Sequence, residues 1–240
     1  MVRTVLFFII FIVGITINSL WVPLVALCRL FRLRKMDRRL GRFIVGYQAR
    51  FYLSLFGIKV KVFGKEHFKG LSGKPLCVIS NHQGLADIPV VIAWVPLLCG
   101  FIAKQELCYM PPFFAQMWYL RCVLINRKSP RSSVKAIERG VRNIKNGYPM
   151  LIFPEGTRSR GPRMNEFKQG SLKLAIRSQA VILPITINGS YKALEETGMA
   201  KAADIQVVIH EPLETKDMTK DELKDLHSRL EETIRSGLEV

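Results

Sequence analysis

Two short segments of the chain hold the residue types that catalysis needs. The first is Ser80-Asn81-His82-Gln83-Gly84-Leu85-Ala86-Asp87, with Pro89 close behind. A histidine and an aspartate at this spacing would point about 140° apart on one continuous helix of roughly 3.6 residues per turn. The run before it is apolar and strand-like, and Pro89 marks the first turn of a helix, so a turn at Gly84 folds His82 back onto Asp87. A carboxylate on one imidazole nitrogen fixes the tautomer and leaves the other nitrogen to take a proton, which is the task of a general base. A lone His-x4-Asp is more often a loop histidine beside a helix-capping aspartate, so the pair needs company before it means catalysis.

The second segment is Phe153-Pro154-Glu155-Gly156-Thr157-Arg158-Ser159-Arg160-Gly161-Pro162-Arg163. Its glycines let backbone amides approach a ligand, and its arginines offer planar forks to phosphate oxygens. Alone, such a loop is usually a solvated surface, and Glu155 an ion-pair partner for the arginines. Two weaker signals are Leu124-Ile125-Asn126-Arg127-Lys128 and the apolar run Val181–Ile187, whose Pro184 predicts a bend or a sheet edge.

Elements that could position these residues follow from periodicity. Ile58, Val60 and Val62 alternate with lysines, as in a half-exposed strand. Apolar runs of strand length occupy 76–80, 98–103, 122–126, 150–153, 181–187 and 205–209. Helical patterns lie between them. Ser129 caps a helix through Asn146 with Val134, Ile137, Val141 and Ile144 inward, and Thr219 with Glu222 opens a last helix as a capping box. The alternation predicts an α/β fold, a mixed and largely parallel sheet flanked by helices. Both chemical segments then fall just past strand ends, where open α/β sheets bind ligands.

The N-terminal part reads differently. Thr4 to Cys28 carries no charged residue, long enough to cross a bilayer as a helix of about 20 residues. Seven basic residues follow by position 42, a positive-inside signal that puts the rest at the cytoplasmic face of the cell membrane. From Asp37 to Phe56, Leu40, Phe43, Ile44, Tyr47, Phe51 and Leu55 share one face, with Arg38, Arg39, Arg42 and Arg50 around the remainder, as in an interfacial helix with arginines among lipid phosphates. The expected organisation is a two-helix membrane anchor over 1–56 and one α/β domain over 57–240.

Charge agrees with an anionic partner. The net charge is +17, made of +8 in residues 1–50, +14 in 51–202 and −5 in 203–240. Anionic lipids, phosphorylated substrates and nucleic acid all suit such a field. Nucleic acid is set aside because no RNP-like aromatic motif, zinc knuckle or helix-turn-helix spacing occurs. The four histidines and five cysteines lack metal-ligand spacing or a CxxC pair, so neither a metal nor a disulfide framework is expected. A Ser- or Cys-nucleophile hydrolase is disfavoured, since there is no G-x-S-x-G elbow.

In this order (His-x4-Asp, an Arg past a strand, Phe-Pro-Glu-Gly-Thr-Arg, an apolar strand with Pro) the chain resembles the glycerolipid acyltransferase family over about residues 57 to 195. Within it the likeness is greatest to the 1-acyl-glycerol-3-phosphate acyltransferases. Three positions depart from that pattern: Gly84 replaces the Ser of Asn-His-x-Ser, Asn126 the Asp before the second-motif Arg, and Cys122 a Gly. The resemblance implies that His82 deprotonates the acceptor hydroxyl, Asp87 orients it, and the hydroxyl attacks a thioester without a covalent enzyme intermediate. It implies that Arg127, Arg158 and Lys104 hold the phosphate of a lysophosphatidic acid, while Glu155, Gly156 and Thr157 shape the acceptor pocket and the oxyanion site. No cofactor is implied, only acyl-CoA or acyl carrier protein as the donor co-substrate, with membrane lipids as surroundings. Glycerol-3-phosphate or another lysophospholipid is the alternative acceptor, and a basic membrane-binding protein the alternative without turnover.

Overall fold

The computed structural model describes residues 2–31, 33–126, 128–168 and 170–238. Eight strands form one sheet: β1 (Ile58–Phe63), β2 (Leu76–Ser80), β3 (Gly100–Lys104), β4 (Val123–Ile125), β5 (Met150–Ile152), β6 (Val181–Asn188), β7 (Ala203–Ile209) and β8 (Leu213–Glu214). Their order is β1-β7-β6-β2-β5-β3-β4, with β8 beside β6. The five strands from β6 to β4 run parallel, β7 and β8 pair antiparallel with β6, and β1 is parallel to β7. The mixed, largely parallel sheet expected from the alternation is therefore present.

Both faces of the sheet are covered, which is why its central strands are apolar throughout. Leu76 and Val78 of β2 enter one core with Leu183, Ile185 and residues of α3 (Arg34–Leu55) and α4 (Asp87–Trp94), among them Leu53, Val90 and Val91. Cys77 and Ile79 point the other way, against α6 (Pro130–Lys145), α7 (Lys173–Ser178) and α8 (Lys220–Ser236). The Cys99 thiol is pushed up to about 12 by burial, as expected of a packing residue and not a reactive thiol.

Several local expectations meet the structure closely. Ser129 caps α6 by accepting the Ser132 N–H, and Thr219 with Glu222 completes the capping box of α8. Others need correction. Of the four residues expected inward on α6, Ile144 is buried and Ile137 and Val141 pack partly buried on the same core, whereas Val134 is exposed; Ala136 and Gly140, which Leu174 approaches closely, complete the buried face. Pro184 lies in central β6, not on an edge strand. It falls between the stretch paired with β8 and the stretch paired with β7, where no ladder N–H is needed, and its carbonyl accepts from His210.

The N-terminal part also differs from a simple helix pair. One stretch among the described residues, Thr4–Cys28, is long and apolar enough to cross a membrane, with mean hydropathy 2.5. It is one candidate span, not two, and it breaks at Leu20–Trp21 into α1 (Val2–Ser19) and α2 (Val22–Leu30). Helix α3 closes over it: Tyr52 packs where a Cβ on Gly14 would be, and the Gln48 amide donates to the Gly14 carbonyl. Phe43, Tyr47, Phe51 and Leu55 of α3 stand exposed as one stripe. Arg42 and Arg50, although exposed, are each tied to main chain. Arg50 donates to the Ala93 carbonyl in the last turn of α4 and Arg42 to the Pro96 carbonyl just past it, and both thereby dock α3 on the sheet domain. The side chains of Arg38 and Arg39 lie outside the described residues.

Helix α5 (Pro111–Tyr119) completes the architecture beside α1 and α2.

Candidate active site

Parallel strands end on one edge of the sheet, so the segments after β2, β5, β6 and β3 meet there. Asn81 leaves β2 fully buried and exchanges two hydrogen bonds with Ile187 of β6, one from its amide to the carbonyl and one from the Ile187 N–H to its oxygen, both 2.8 Å. Gln83 also turns toward this strand's end, its Oε1 accepting from the Gly189 and Ser190 N–H groups. Residues 81 and 83 therefore face β6, and His82 between them faces the opposite way.

The imidazole meets Asp87 at the start of α4. Nδ1 of His82 lies 2.7 Å from Oδ2 of Asp87, and the same oxygen accepts the Gly84 N–H at 2.9 Å. Asp87 is fully buried, whereas 16% of the His82 side chain reaches solvent. Asp87 faces a ring that must donate through Nδ1–H, which leaves Nε2 as the second proton site. Phe153 stacks on the ring with centroids 4.0 Å apart. The turn inferred from Gly84 thus brings the two predicted partners together.

The loop after β5 is sewn to the same turn. Glu155, 1% exposed, accepts the His82 N–H at 2.6 Å through Oε1 and the Asn165 N–H at 2.9 Å through Oε2. Ser159 and Arg160 in turn donate their N–H groups to the carbonyls of His82 and Gln83. Burial raises the Glu155 carboxyl above its ordinary range, against the two backbone bonds that pull it down. Glu155 pairs with backbone amides, not with the neighbouring arginines. Gly156 sits at φ +70°, where a side chain would be strained and would also press on Lys168. Thr157 is exposed at the mouth of the loop.

The basic residues are distributed along the edge. Arg158, 27% exposed at its side chain, forms a 2.8 Å ion pair with Glu195, an acid that sequence reasoning did not single out. No motif marks it in the sequence; only its place a few residues beyond the apolar strand β6 puts it near the ligand-binding edge. Lys104 ends β3, two strands from β2, or about 10 Å at roughly 5 Å per strand. There it is exposed and pairs with Glu106 at 3.3 Å, away from the His82 turn. Arg127, just past β4, lies outside the described residues. The structure thus brings His82, Asp87, Glu155, Gly156 and Arg158 into one region and leaves Lys104 at its margin.

Comparison with known proteins bears on the family and the fold. A family model described as Acyltransferase matches residues 59–188. A 1-acyl-sn-glycerol-3-phosphate acyltransferase of Limnanthes douglasii is 31% identical over 193 residues, 79% of this chain and 67% of that protein. The mouse protein named 1-acyl-sn-glycerol-3-phosphate acyltransferase alpha is 29% identical over 72% of this chain and 61% of its own length. A chloroplastic relative from Arabidopsis thaliana is 30% identical, with 44% of its length covered, so the chain spans well under two thirds of some relatives. The crystal structure of the 1-acyl-sn-glycerophosphate (LPA) acyltransferase PlsC from Thermotoga maritima superposes with a TM-score of 0.85 at 28% identity, covering 99% of this chain and 94% of that one.

Proposed function

The chain belongs to the acyltransferase family, and from that premise we propose that it acylates the sn-2 hydroxyl of a lysophosphatidic acid to give phosphatidic acid. The single observation that carries the reading is the 2.7 Å contact of His82 Nδ1 with buried Asp87, at the sheet edge where an arginine-bearing loop is pinned to the same turn. In this mechanism Nε2 of His82 takes the proton as the acceptor oxygen attacks the thioester carbonyl. The C–O bond forms, the carbonyl oxygen becomes an oxyanion, and the imidazolium is stabilised by Asp87. Collapse breaks the C–S bond, and the departing thiolate recovers the proton from His82. Glu155, Gly156 and Thr157 shape the acceptor pocket and the site of the developing oxyanion, with the Gly156 N–H itself held by the Phe153 carbonyl. Arg158 and Arg127 hold the acceptor phosphate, joined by Lys104. The donor is acyl-CoA or an acyl carrier protein thioester.

Substrate and product are both lipids, which suits an enzyme held at a bilayer. Residues 1–56 form the membrane-bound part and 57–240 the acyltransferase domain, on the cytoplasmic face of the cell membrane. The apolar stretch Thr4–Cys28 and the exposed aromatic stripe of α3 support this placement. The decisive test is an acyl-transfer assay with both donor types against lysophosphatidic acid, glycerol-3-phosphate and lysophosphatidylcholine. Lysophosphatidic acid should be strongly preferred. Equal use of lysophosphatidylcholine, or exclusive use of glycerol-3-phosphate, refutes the acceptor assignment, and no transfer to any of them refutes the enzyme.

A further inference from the structure

We propose that Glu195 is a positioning residue that sets the Arg158 guanidinium against the catalytic turn, and that residue 84 is glycine because Glu195 fills the space of a side chain there. The first part rests on the reading of Arg158 as the acceptor clamp; the second stands on geometry alone.

Glu195 lies beyond β6, on a third segment of the site edge. Its side chain is only 5% exposed. Oε1 accepts both the Leu85 N–H and Arg158 NH1, each at 2.8 Å. One carboxylate oxygen therefore ties the His82–Asp87 turn to the loop that bears Arg158. Burying a carboxylate is unfavourable unless it is well bonded, and these two bonds account for its retention. A guanidinium held through one nitrogen keeps N–H groups for a phosphate and loses less freedom when it binds one.

The other oxygen, Oε2, is buried without a hydrogen-bond partner among the described residues and is aimed at Gly84. A Cβ built on Gly84 would stand 2.5 Å from Oε2, 3.0 Å from the carboxylate carbon and 3.2 Å from the Ser190 carbonyl oxygen, so Glu195 makes the closest approach. Gly84 is not among the residues of positive φ, so its backbone conformation does not require glycine. Space does. The departure from serine at this position thus has a partner 111 residues away in sequence, and the two residues form one device.

The test uses the purified full-length chain with four variants: Glu195→Ala, Glu195→Gln, Gly84→Ala and the double Gly84→Ala/Glu195→Ala. Melting midpoints are measured together with KM for lysophosphatidic acid and for the acyl donor. Glu195→Ala should raise the acceptor KM about tenfold while the donor KM moves far less, and Glu195→Gln should recover part of the loss because its amide oxygen still accepts. Gly84→Ala should lower both kcat/KM and the melting midpoint. The double variant should be little worse than Glu195→Ala alone, because the closest clash is gone and only the 3.2 Å approach to the Ser190 carbonyl remains. A Gly84→Ala protein that fails to fold but is rescued by the second substitution supports the same conclusion. Additive losses in the double variant overturn the steric pairing, and equal shifts of both KM values in Glu195→Ala overturn the positioning role. An unchanged acceptor KM in Arg158→Ala would instead sink the clamp itself, leaving the Gly84–Glu195 coupling to be judged by melting alone.

Discussion

The backbone N–H of His82 donates to a buried carboxylate oxygen of Glu155 at 2.6 Å, so the second chemical segment holds the first by its main chain. Because the other oxygen serves Asn165, Glu155 braces two loops at once. Its position beside the base comes from this bracing and not from any contact with the arginines around it.

Replacing Glu155 by Gln keeps the shape but turns an NH2 group against one backbone N–H. The loss of one bond and the buried mismatch should cost about 1–3 kcal/mol, read as a lower melting midpoint. Turnover should fall with it as the His82 segment loosens. The pH dependence has a definite sign. Burial raises the carboxyl, so the native state keeps a proton that the unfolded chain releases at the ordinary carboxylate value. This contribution to stability is full below the ordinary value and is lost as pH rises through the raised one. The wild type's advantage over Glu155→Gln should therefore be largest in acid and shrink toward neutrality. An advantage that grows with pH contradicts the assignment.

His82→Ala should reduce kcat by at least about 10²–10⁴-fold in a protein that still folds, the range of a positioned general base. Asp87→Asn should be nearly as damaging. Its amide oxygen can still accept from Nδ1 and from Gly84, but it brings no charge to the imidazolium and places an NH2 group where Asp87 Oδ1 is buried unpartnered. Near-normal turnover in purified His82→Ala would remove the base from the mechanism.

What could be read from sequence was local and covalently continuous. Strand β2 occupies 76–80 as its apolar run predicts, and both helix caps are where the residue types place them. The His82–Asp87 contact was legible because Gly84 and Pro89 bracket a turn between a strand and a helix. Tertiary partners were not legible. The periodicity of α6 finds Ile137, Val141 and Ile144 on the core but not Ala136 and Gly140, whose burial depends on tertiary neighbours such as Leu174. Arg42 and Arg50 look like solvated charges until α4 supplies its end carbonyls. Glu195 carries no motif of its own, and its importance arises only where β6 passes beside β2.

Arg158→Ala should raise the apparent KM for lysophosphatidic acid roughly ten- to a hundredfold, since a charge-assisted bond to phosphate is worth about 1.5–3 kcal/mol and about 1.4 kcal/mol is tenfold. The donor KM should change far less. Arg158→Lys should restore only part of the affinity, because a point charge cannot bond Glu195 and a phosphate in the geometry of a planar fork. Were Arg158 only the structural partner of Glu195, its removal would lower the melting midpoint and leave the acceptor KM unchanged.

The membrane-bound part makes the last prediction. Phe43, Tyr47 and Phe51 recur every four residues on α3 and stand exposed, while the arginines that flank them are occupied by the carbonyls at the end of α4. That combination fixes the orientation of α3 on the sheet domain and turns its aromatic stripe away from it. If the stripe lies in the interface, replacing all three aromatics by Ser should weaken attachment and lower activity on vesicle-borne acceptor. Activity on acceptor dispersed in detergent should be largely retained, since none of the three touches the site. The wild-type protein should resist carbonate washing of membranes, and its sheet domain should be digested when protease is added to sealed vesicles with their cytoplasmic face outward. A wild-type protein that washes off quantitatively refutes the anchor. A sheet domain protected in such vesicles refutes the orientation, and equal loss of vesicle and detergent activity in the triple variant shows that the stripe supports the fold and not the bilayer contact.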